Sequence, residues 1–117
     1  MAIPSGSGTE VLKRVSGTIR ATTTSVLTVG SDKICTVLSI ILWNDLLSGM
    51  KIYLNNGSAD IQITTSGTDG ATELVANTTF VWNDKFVLTA GDILKIQELS
   101  DNGPSTYWVS YIEQDWS

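Results

Sequence analysis

A chain of 117 residues has room for one domain, because two separate cores would each need about 50 residues or more. Its hydrophobic share of 42% and charged share of 16% exclude a disordered chain and indicate one packed core. Residues 1–33 carry four basic and two acidic side chains (+2), and the remainder carries three against ten (−7). An acidic body with one short basic segment offers few contacts to phosphates, so we expect no nucleic-acid binding.

The first 14 residues are predicted to form an extended, basic N-terminal arm. Residues 2–9 are small, polar and rich in glycine, and Lys13 and Arg14 follow them. This start lacks the charged and apolar regions of a secretory signal, so we expect synthesis without export. No run reaches the ~20 apolar residues of a membrane helix, and we expect no membrane partner. Residues 15–117 are assigned to one β domain.

The remaining sequence is predicted to be all-β. Short runs of β-branched and aromatic residues alternate with clusters of Gly, Asn, Asp and Ser about every ten residues, which is typical of an antiparallel β-sandwich. The predicted strands are 14–20, 25–29, 34–43, 51–54, 59–64, 73–82, 86–88, 93–99 and 106–113. Predicted turns are 30–32, 55–57, 68–70, 90–92 and 101–104. The segment 45–49 is expected to form one helical turn at most.

The distribution of apolar residues along the strands predicts self-association. Residues 60–64 alternate between apolar and polar, as in a strand with one solvated face. Residues 34–43 are apolar on both sides, and 107–112 are nearly so. A chain this short has no third layer, so another subunit is the simplest cover for the second face. We therefore predict a homo-oligomer, with the interface residues Leu38, Ile40, Leu42, Trp108 and Tyr111.

The residues that usually carry catalysis or bind metals are scarce. The sequence contains no histidine and one cysteine, which excludes Ser-His-Asp and Cys-His arrangements and a zinc-thiolate site. Several carboxylates, among them Asp69, Asp84 and Asp92, fall in predicted turns, where Asp is an ordinary residue. We therefore expect no enzyme, no metal and no cofactor. Cys35 lies in an apolar run, so we expect it to be buried and free.

The tryptophans raise a different hypothesis, namely that sugar rings stack on an aromatic surface. Trp43, Trp82 and Trp108 lie in otherwise apolar strands, which favours a location in the core or in a subunit interface. Trp116, near the end of the sequence, is predicted to be free to contact a ligand.

Three segments, 1–14, 80–88 and 110–117, resemble small virion proteins of tailed phages, especially marine and cyanobacterial ones. Separately, residues 87–96 resemble the strand, Gly-Asp turn and strand of jelly-roll trimers such as the C1q and tumour-necrosis-factor group. The second resemblance implies a jelly-roll-like sandwich and a homotrimer.

The phage resemblance implies a structural protein of the virion that is assembled in the host cytoplasm. The expected role is capsid decoration, in which a cement protein binds between capsomers and contacts the major capsid protein or other virion proteins. The alternative is a neck, tail or fibre component, including a carbohydrate-binding module for host attachment. In the decoration hypothesis the end of the arm, Glu10, Val11, Leu12, Lys13 and Arg14, binds an acidic patch of the shell.

Overall fold

The computed structural model describes residues 9–19, 23–43, 50–63, 79–98 and 105–116. These residues form nine strands: β1 Thr9–Ile19, β2 Thr24–Thr28, β3 Lys33–Trp43, β4 Met50–Asn55, β5 Asp60–Gln62, β6 Thr79–Trp82, β7 Phe86–Thr89, β8 Ile93–Glu98 and β9 Ser105–Asp115. Within these ranges there is no helix. Each predicted strand has a counterpart, and residues 73–78 of the predicted strand 73–82 lie outside the described residues. The prediction of an all-β chain is confirmed.

The strands form two antiparallel sheets. In sheet A the order is β1-β9-β3, and β6 and β7 both pair with the far edge of β3. In sheet B the order is β2-β8-β4-β5. Because β6 pairs with residues 40–43 of β3 and β7 with residues 34–37, the two act as one interrupted strand. With β6 and β7 counted as one strand, the chain has eight strands in these ranges. The first strand, β1, pairs with the last, β9, and the second, β2, pairs with the seventh, β8. The third, β3, pairs with the sixth (β6 and β7), and the fourth, β4, pairs with the fifth, β5. This is the jelly-roll arrangement, and the predicted antiparallel sandwich is confirmed.

The core lies between the two sheets, and β3 contributes most to it. Its side chains Cys35, Val37, Ile40 and Leu42 have no exposed surface. These inner positions change from odd to even numbers because the pairing with β9 shifts at a bulge between Val37 and Ser39. Sheet B covers them with Ile52, Leu94 and Ile96, which are equally buried, among other side chains of the same core cluster.

The turns that the structure describes follow from local chemistry. Gly57 and Gly91 adopt φ of 97° and 90°, where a side chain would be strained, and Asp32 adopts φ of 60°. At the β7–β8 turn the Thr89 amide donates to Asp92 Oδ2 over 2.8 Å, and the Asp92 amide donates back to the Thr89 carbonyl over 2.9 Å. The predicted turns at 30–32, 55–57 and 90–92 are confirmed. Those at 68–70 and 101–104, and the helical turn at 45–49, lie outside the described residues.

The predicted boundary of the N-terminal arm is too late in the chain. Thr9 to Ile19 pair with β9 in one continuous register, from Thr9 opposite Asp115 to Ile19 opposite Ser105. The part of the predicted arm that the structure describes, residues 9–14, is therefore an edge strand of sheet A. The pairing begins this early because β9 offers a bonding edge along its whole length. Residues 1–8 lie outside the described residues.

One glycine of β1 is required by packing. Gly17 lies opposite Tyr107, and a Cβ at Gly17 would lie 2.8 Å from Tyr107 Oη and 3.1 Å from its Cζ. Because the Tyr107 ring is buried, it has little room to move aside.

We expect Gly17→Ala to lower the free energy of unfolding by about 1–3 kcal/mol, the usual cost of overpacking a core. Urea denaturation followed by tryptophan fluorescence measures this change. Gly30→Ala is the matched control, because a Cβ there would lie an ordinary 3.6 Å from Lys33 Cδ. Equal unfolding free energies for the two variants would contradict the packing role of Gly17.

Candidate interaction surface

The outer face of sheet B is polar and internally bonded. Tyr53 Oη donates to Gln97 Oε1 over 3.2 Å, and Lys95 Nζ lies 3.0 Å from Asp60 Oδ1. Asn55 Nδ2 also donates to Asp60 Oδ1, over 2.7 Å. This bond, followed by that from Lys95, holds the pKa of the Asp60 carboxyl below its usual value. A face whose polar groups are paired in this way is typical of a solvent-facing surface.

The outer face of sheet A exposes large apolar side chains from β1 across to β6 and β7, and Ser and Thr residues lie between them. The exposed fractions of its large side chains are 72% for Leu12, 44% for Trp43, 47% for Val81, 59% for Val87 and 43% for Trp108. Strand alternation places each of them on the side away from the core. We call this surface the outer A face. Apolar side chains exposed together across one sheet make this face a candidate for interaction with another molecule.

The outer A face carries little charge. By strand alternation, its charged residues within the described ranges are Glu10 and Arg14, both on β1, and their charges cancel. Glu10 Oε1 accepts a hydrogen bond from Gln114 Nε2 over 2.9 Å, and Arg14 Nη1 donates to Ser16 Oγ over 2.7 Å. The face is therefore neutral, although the whole chain has a net charge of −5.

Arg14 and Trp108 are in contact with each other and line a groove on this face. The Arg14 guanidinium carbon lies 4.1 Å from the centroid of the Trp108 ring, within the range of a cation–π contact. The groove has a volume of about 520 Å³ and is lined by Leu12, Lys13, Arg14, Leu38, Ser39, Trp108 and Ser110. Tryptophan and arginine are the residues most enriched at protein–protein hot spots. The groove therefore has the composition of a binding surface for another protein.

The structure separates the predicted interface residues into two groups. Leu38 and Trp108 line the groove, as an interface requires. Ile40 and Leu42 have no exposed surface, and Tyr111 is 8% exposed, so these three belong to the core of the subunit. The first two point inward because the bulge at Leu38 reverses the alternation of β3. Tyr111 points inward because it shares a face with the buried Val109.

The predicted interface omits four large side chains of the outer A face, namely Leu12, Trp43, Val81 and Val87. For Trp43 the sequence favours the core or a subunit interface without distinguishing between them. Val81 lies opposite Ile41, and Val87 lies opposite Thr36, so their outward direction follows from the pairing of β6 and β7 with β3. Alternation within 79–82 could have indicated that one side of this strand is apolar. It could not have indicated which sheet the strand joins.

The sequence predicted that Trp116 would be free to contact a ligand, but the structure holds this residue against the domain. Its backbone amide donates to the Asp32 carbonyl over 2.8 Å, and its side chain is partly buried. Its indole Nε1 is buried and has no hydrogen-bond partner in the described part of the chain. Trp43 and Trp108 are the more accessible rings.

The charged part of the predicted arm contacts its own domain. Lys13 Nζ lies 2.7 Å from Glu113 Oε1, and this hydrogen bond raises the pKa of the Lys13 ammonium group. Lys33 Nζ lies 3.4 Å from Asp115 Oδ2 and 3.8 Å from Glu113 Oε1. The cluster holds the end of β1 against β9 and β3. Because its members reach solvent, its contribution to stability is small.

Groups suited to chemistry are few in the described ranges. No group of three or more His, Cys, Asp or Glu residues there is placed to hold a metal ion. No helix in the same ranges is long and apolar enough to cross a membrane. Cys35 is completely buried, and burial, reinforced by Glu113, raises the pKa of its thiol. A buried thiol with a raised pKa is a poor nucleophile.

Comparison with known proteins finds little similarity. No protein-family description matches the sequence, and no curated protein matches it. A solved structure of a Bacillus endospore appendage, from a novel family of disulfide-linked pili, is similar over 100% of this chain and 97% of that chain. The sequence identity is 18% and the TM-score is 0.46. Values this low give no basis for transferring a function.

We expect Cys35 to react with iodoacetamide at pH 8 at least about tenfold more slowly in the folded protein than in concentrated guanidinium. The raised pKa leaves less thiolate at a given pH, and the sandwich blocks access to the sulfur. Mass spectrometry of the alkylated chain over time measures both rates. Similar rates in the two states would contradict the burial of Cys35.

Proposed function

We propose that this chain is a structural subunit of a phage particle that binds neighbouring protein subunits through the outer A face. The observation that supports this proposal is the contrast between the two sheets. The outer side of sheet B is covered by its own polar contacts, whereas the outer A face exposes Leu12, Trp43, Val81, Val87 and Trp108.

The composition of the outer A face favours a protein as the binding partner. The centre of a protein–protein interface is depleted in charge and enriched in aromatic residues and arginine. The outer A face carries Trp43, Trp108 and Arg14 and is neutral, so it matches this description. A neutral face on an acidic chain also allows acidic copies to approach one another with little repulsion.

The resemblance to phage virion proteins is the reason for proposing that the assembly is a phage particle. The described parts of the three resembling segments lie in β1, in β6 and β7, and in β9, with the connection between β6 and β7. All of these strands belong to sheet A. The likeness is therefore concentrated in the sheet that carries the candidate surface.

Within the particle we propose the role of capsid decoration, in which the subunit binds between capsomers and contacts the major capsid protein. A homotrimer fits this role by analogy with jelly-roll trimers. The alternative is a neck, tail or fibre component that binds a host glycan. The exposed rings of Trp43 and Trp108 favour this alternative, because sugar rings stack on accessible aromatic faces.

Trp108→Ser is expected to weaken binding to particles that lack this protein by at least about tenfold, as truncation of an aromatic hot spot does. Tyr53→Ser is the matched control, because Tyr53 is a partly exposed aromatic residue on the outer side of sheet B. Sedimentation of labelled protein with such particles measures the affinity, and thermal melting shows whether each variant is folded. Equal losses for the two variants would contradict the assignment of the outer A face.

The number of copies of this protein in purified particles distinguishes capsid decoration from a position in the neck, tail or fibre. Quantitative mass spectrometry is expected to find hundreds of copies if the protein decorates the shell, and about a dozen or fewer if it belongs to the neck or tail. Binding to a glycan array that is lost in Trp108→Ser, together with a low copy number, would favour the host-attachment alternative. Absence of the protein from purified particles would contradict a virion role.

A further inference from the structure

The four sheet edges in the described part of the chain differ in length and regularity. β5 has three residues, and β2 has five with an irregular register between Ser25 and Leu27. The edge formed by β6 and β7 consists of two four-residue pieces. β1 has eleven residues and pairs with β9 without a register shift. Short, interrupted and bulged edges resist pairing with another chain, whereas a long regular edge is a template for it.

β1 is open on one side. It pairs with β9 along one edge, and no strand of the described ranges pairs with the other. Backbone amides and carbonyls on alternate residues therefore point away from the sheet. On the same strand Leu12 is 72% exposed and Val11 is 44% exposed. The strand presents both backbone bonding groups and apolar side chains to a partner.

We propose that β1 pairs with β1 of a second copy of this chain, antiparallel and about a two-fold axis at Leu12. The pairing joins two A sheets into one continuous sheet. It goes beyond the proposed function, because this contact lies at the edge of sheet A and does not require a phage particle.

The register follows from the side chains of β1. A two-fold axis perpendicular to the sheet keeps both outer A faces on one side, so outer residues must lie opposite outer residues. An axis at Leu12 places Leu12 opposite its own copy and Glu10 opposite Arg14 of the second copy. The symmetry forms this opposite-charge pair twice. Apolar and opposite-charge pairs directly across an antiparallel sheet are favourable.

The neighbouring registers are less favourable. An axis at Arg14 would place two arginines directly opposite each other. An axis at Lys13 would place Leu12 opposite Arg14, an apolar side chain against a guanidinium. An axis at Val11 would place Leu12 opposite Glu10, an apolar side chain against a carboxylate. The register at Leu12 is the one of these four that pairs the exposed leucine and both charges with suitable partners.

A lysine on an edge strand can discourage pairing with another chain, and Lys13 is the lysine of β1. It points to the opposite side of the strand from Leu12, and Glu113 Oε1 lies 2.7 Å from its ammonium group. Because this carboxylate already neutralises it, Lys13 does not repel an approaching strand. In the register at Leu12, it lies opposite Val11 of the second copy.

Pairwise disulfide formation tests the contact and its register. Directly opposite residues have Cα atoms about 4.5 or 5.5 Å apart, and both distances permit a disulfide. Under oxidised glutathione, Leu12→Cys alone is expected to form a covalent dimer. Glu10→Cys and Arg14→Cys are each expected to form one only when the two proteins are mixed. Non-reducing electrophoresis measures the yield, and the wild-type chain controls for the buried Cys35.

A mixture of Glu10→Cys with Thr18→Cys is the matched control, because these two residues would lie opposite each other if the axis passed through Arg14. We expect several-fold less dimer from this mixture than from Glu10→Cys with Arg14→Cys. Equal or greater yield from the Thr18 mixture would overturn the register at Leu12. Failure of both mixtures and of Leu12→Cys to crosslink would overturn the contact itself.

Charge reversal provides a second measurement without cysteine. Glu10→Arg is expected to raise the dissociation constant of the dimer about tenfold, because it places two arginines opposite each other twice. Combining Glu10→Arg with Arg14→Glu exchanges the charges and is expected to restore the original value. Analytical ultracentrifugation measures both constants, and a double variant as weak as the single one would overturn the pairing.

The two proposals can fail separately. A chain that does not crosslink through β1 but binds particles through Trp108 would overturn the edge contact alone. A chain that crosslinks as expected but is absent from particles would support the edge contact and overturn the virion role.

Discussion

Strand β3 is the element on which the rest of the structure depends. It is hydrogen-bonded along one edge to β9 and along the other to β6 and β7, so both of its edges are occupied. Its inner side chains, Cys35, Val37, Ile40 and Leu42, are completely buried between the sheets. A strand of this kind has one free surface, its outer face. Because Ile41 and Trp43 lie on that face, the middle of sheet A offers apolar surface to another molecule.

The bulge at Leu38 determines which residues form that surface. Without the bulge, a strict alternation from Cys35 and Val37 would point Ile41 inward and Ile40 outward. The extra residue reverses the alternation, so that Ile41 and Trp43 share the outer face with Leu38. One inserted position in the chain therefore controls both the composition of the core and that of the candidate interface.

The jelly-roll order of the strands places the unpaired edge of β1 and the groove at Trp108 in the same sheet, sheet A. Because the first strand pairs with the last, β1 becomes an edge strand beside the groove at Trp108. Sheet B has a short edge at β5, an irregular one at β2, and polar contacts across its outer side. A subunit with this asymmetry can join others through one sheet while the other remains in contact with solvent. This division is suited to a structural component of a larger assembly.

The sequence by itself determined the all-β class and, within the described ranges, the nine strands and the turns, because propensity and turn conformation depend on consecutive residues such as Gly57 and Gly91. It also indicated that Cys35 would be buried. Only the tertiary structure decided that β1 begins at Thr9, that Ile40 faces the core and that Trp116 is anchored. These properties depend on register and on a bulge between strands far apart in the chain, which no local pattern encodes.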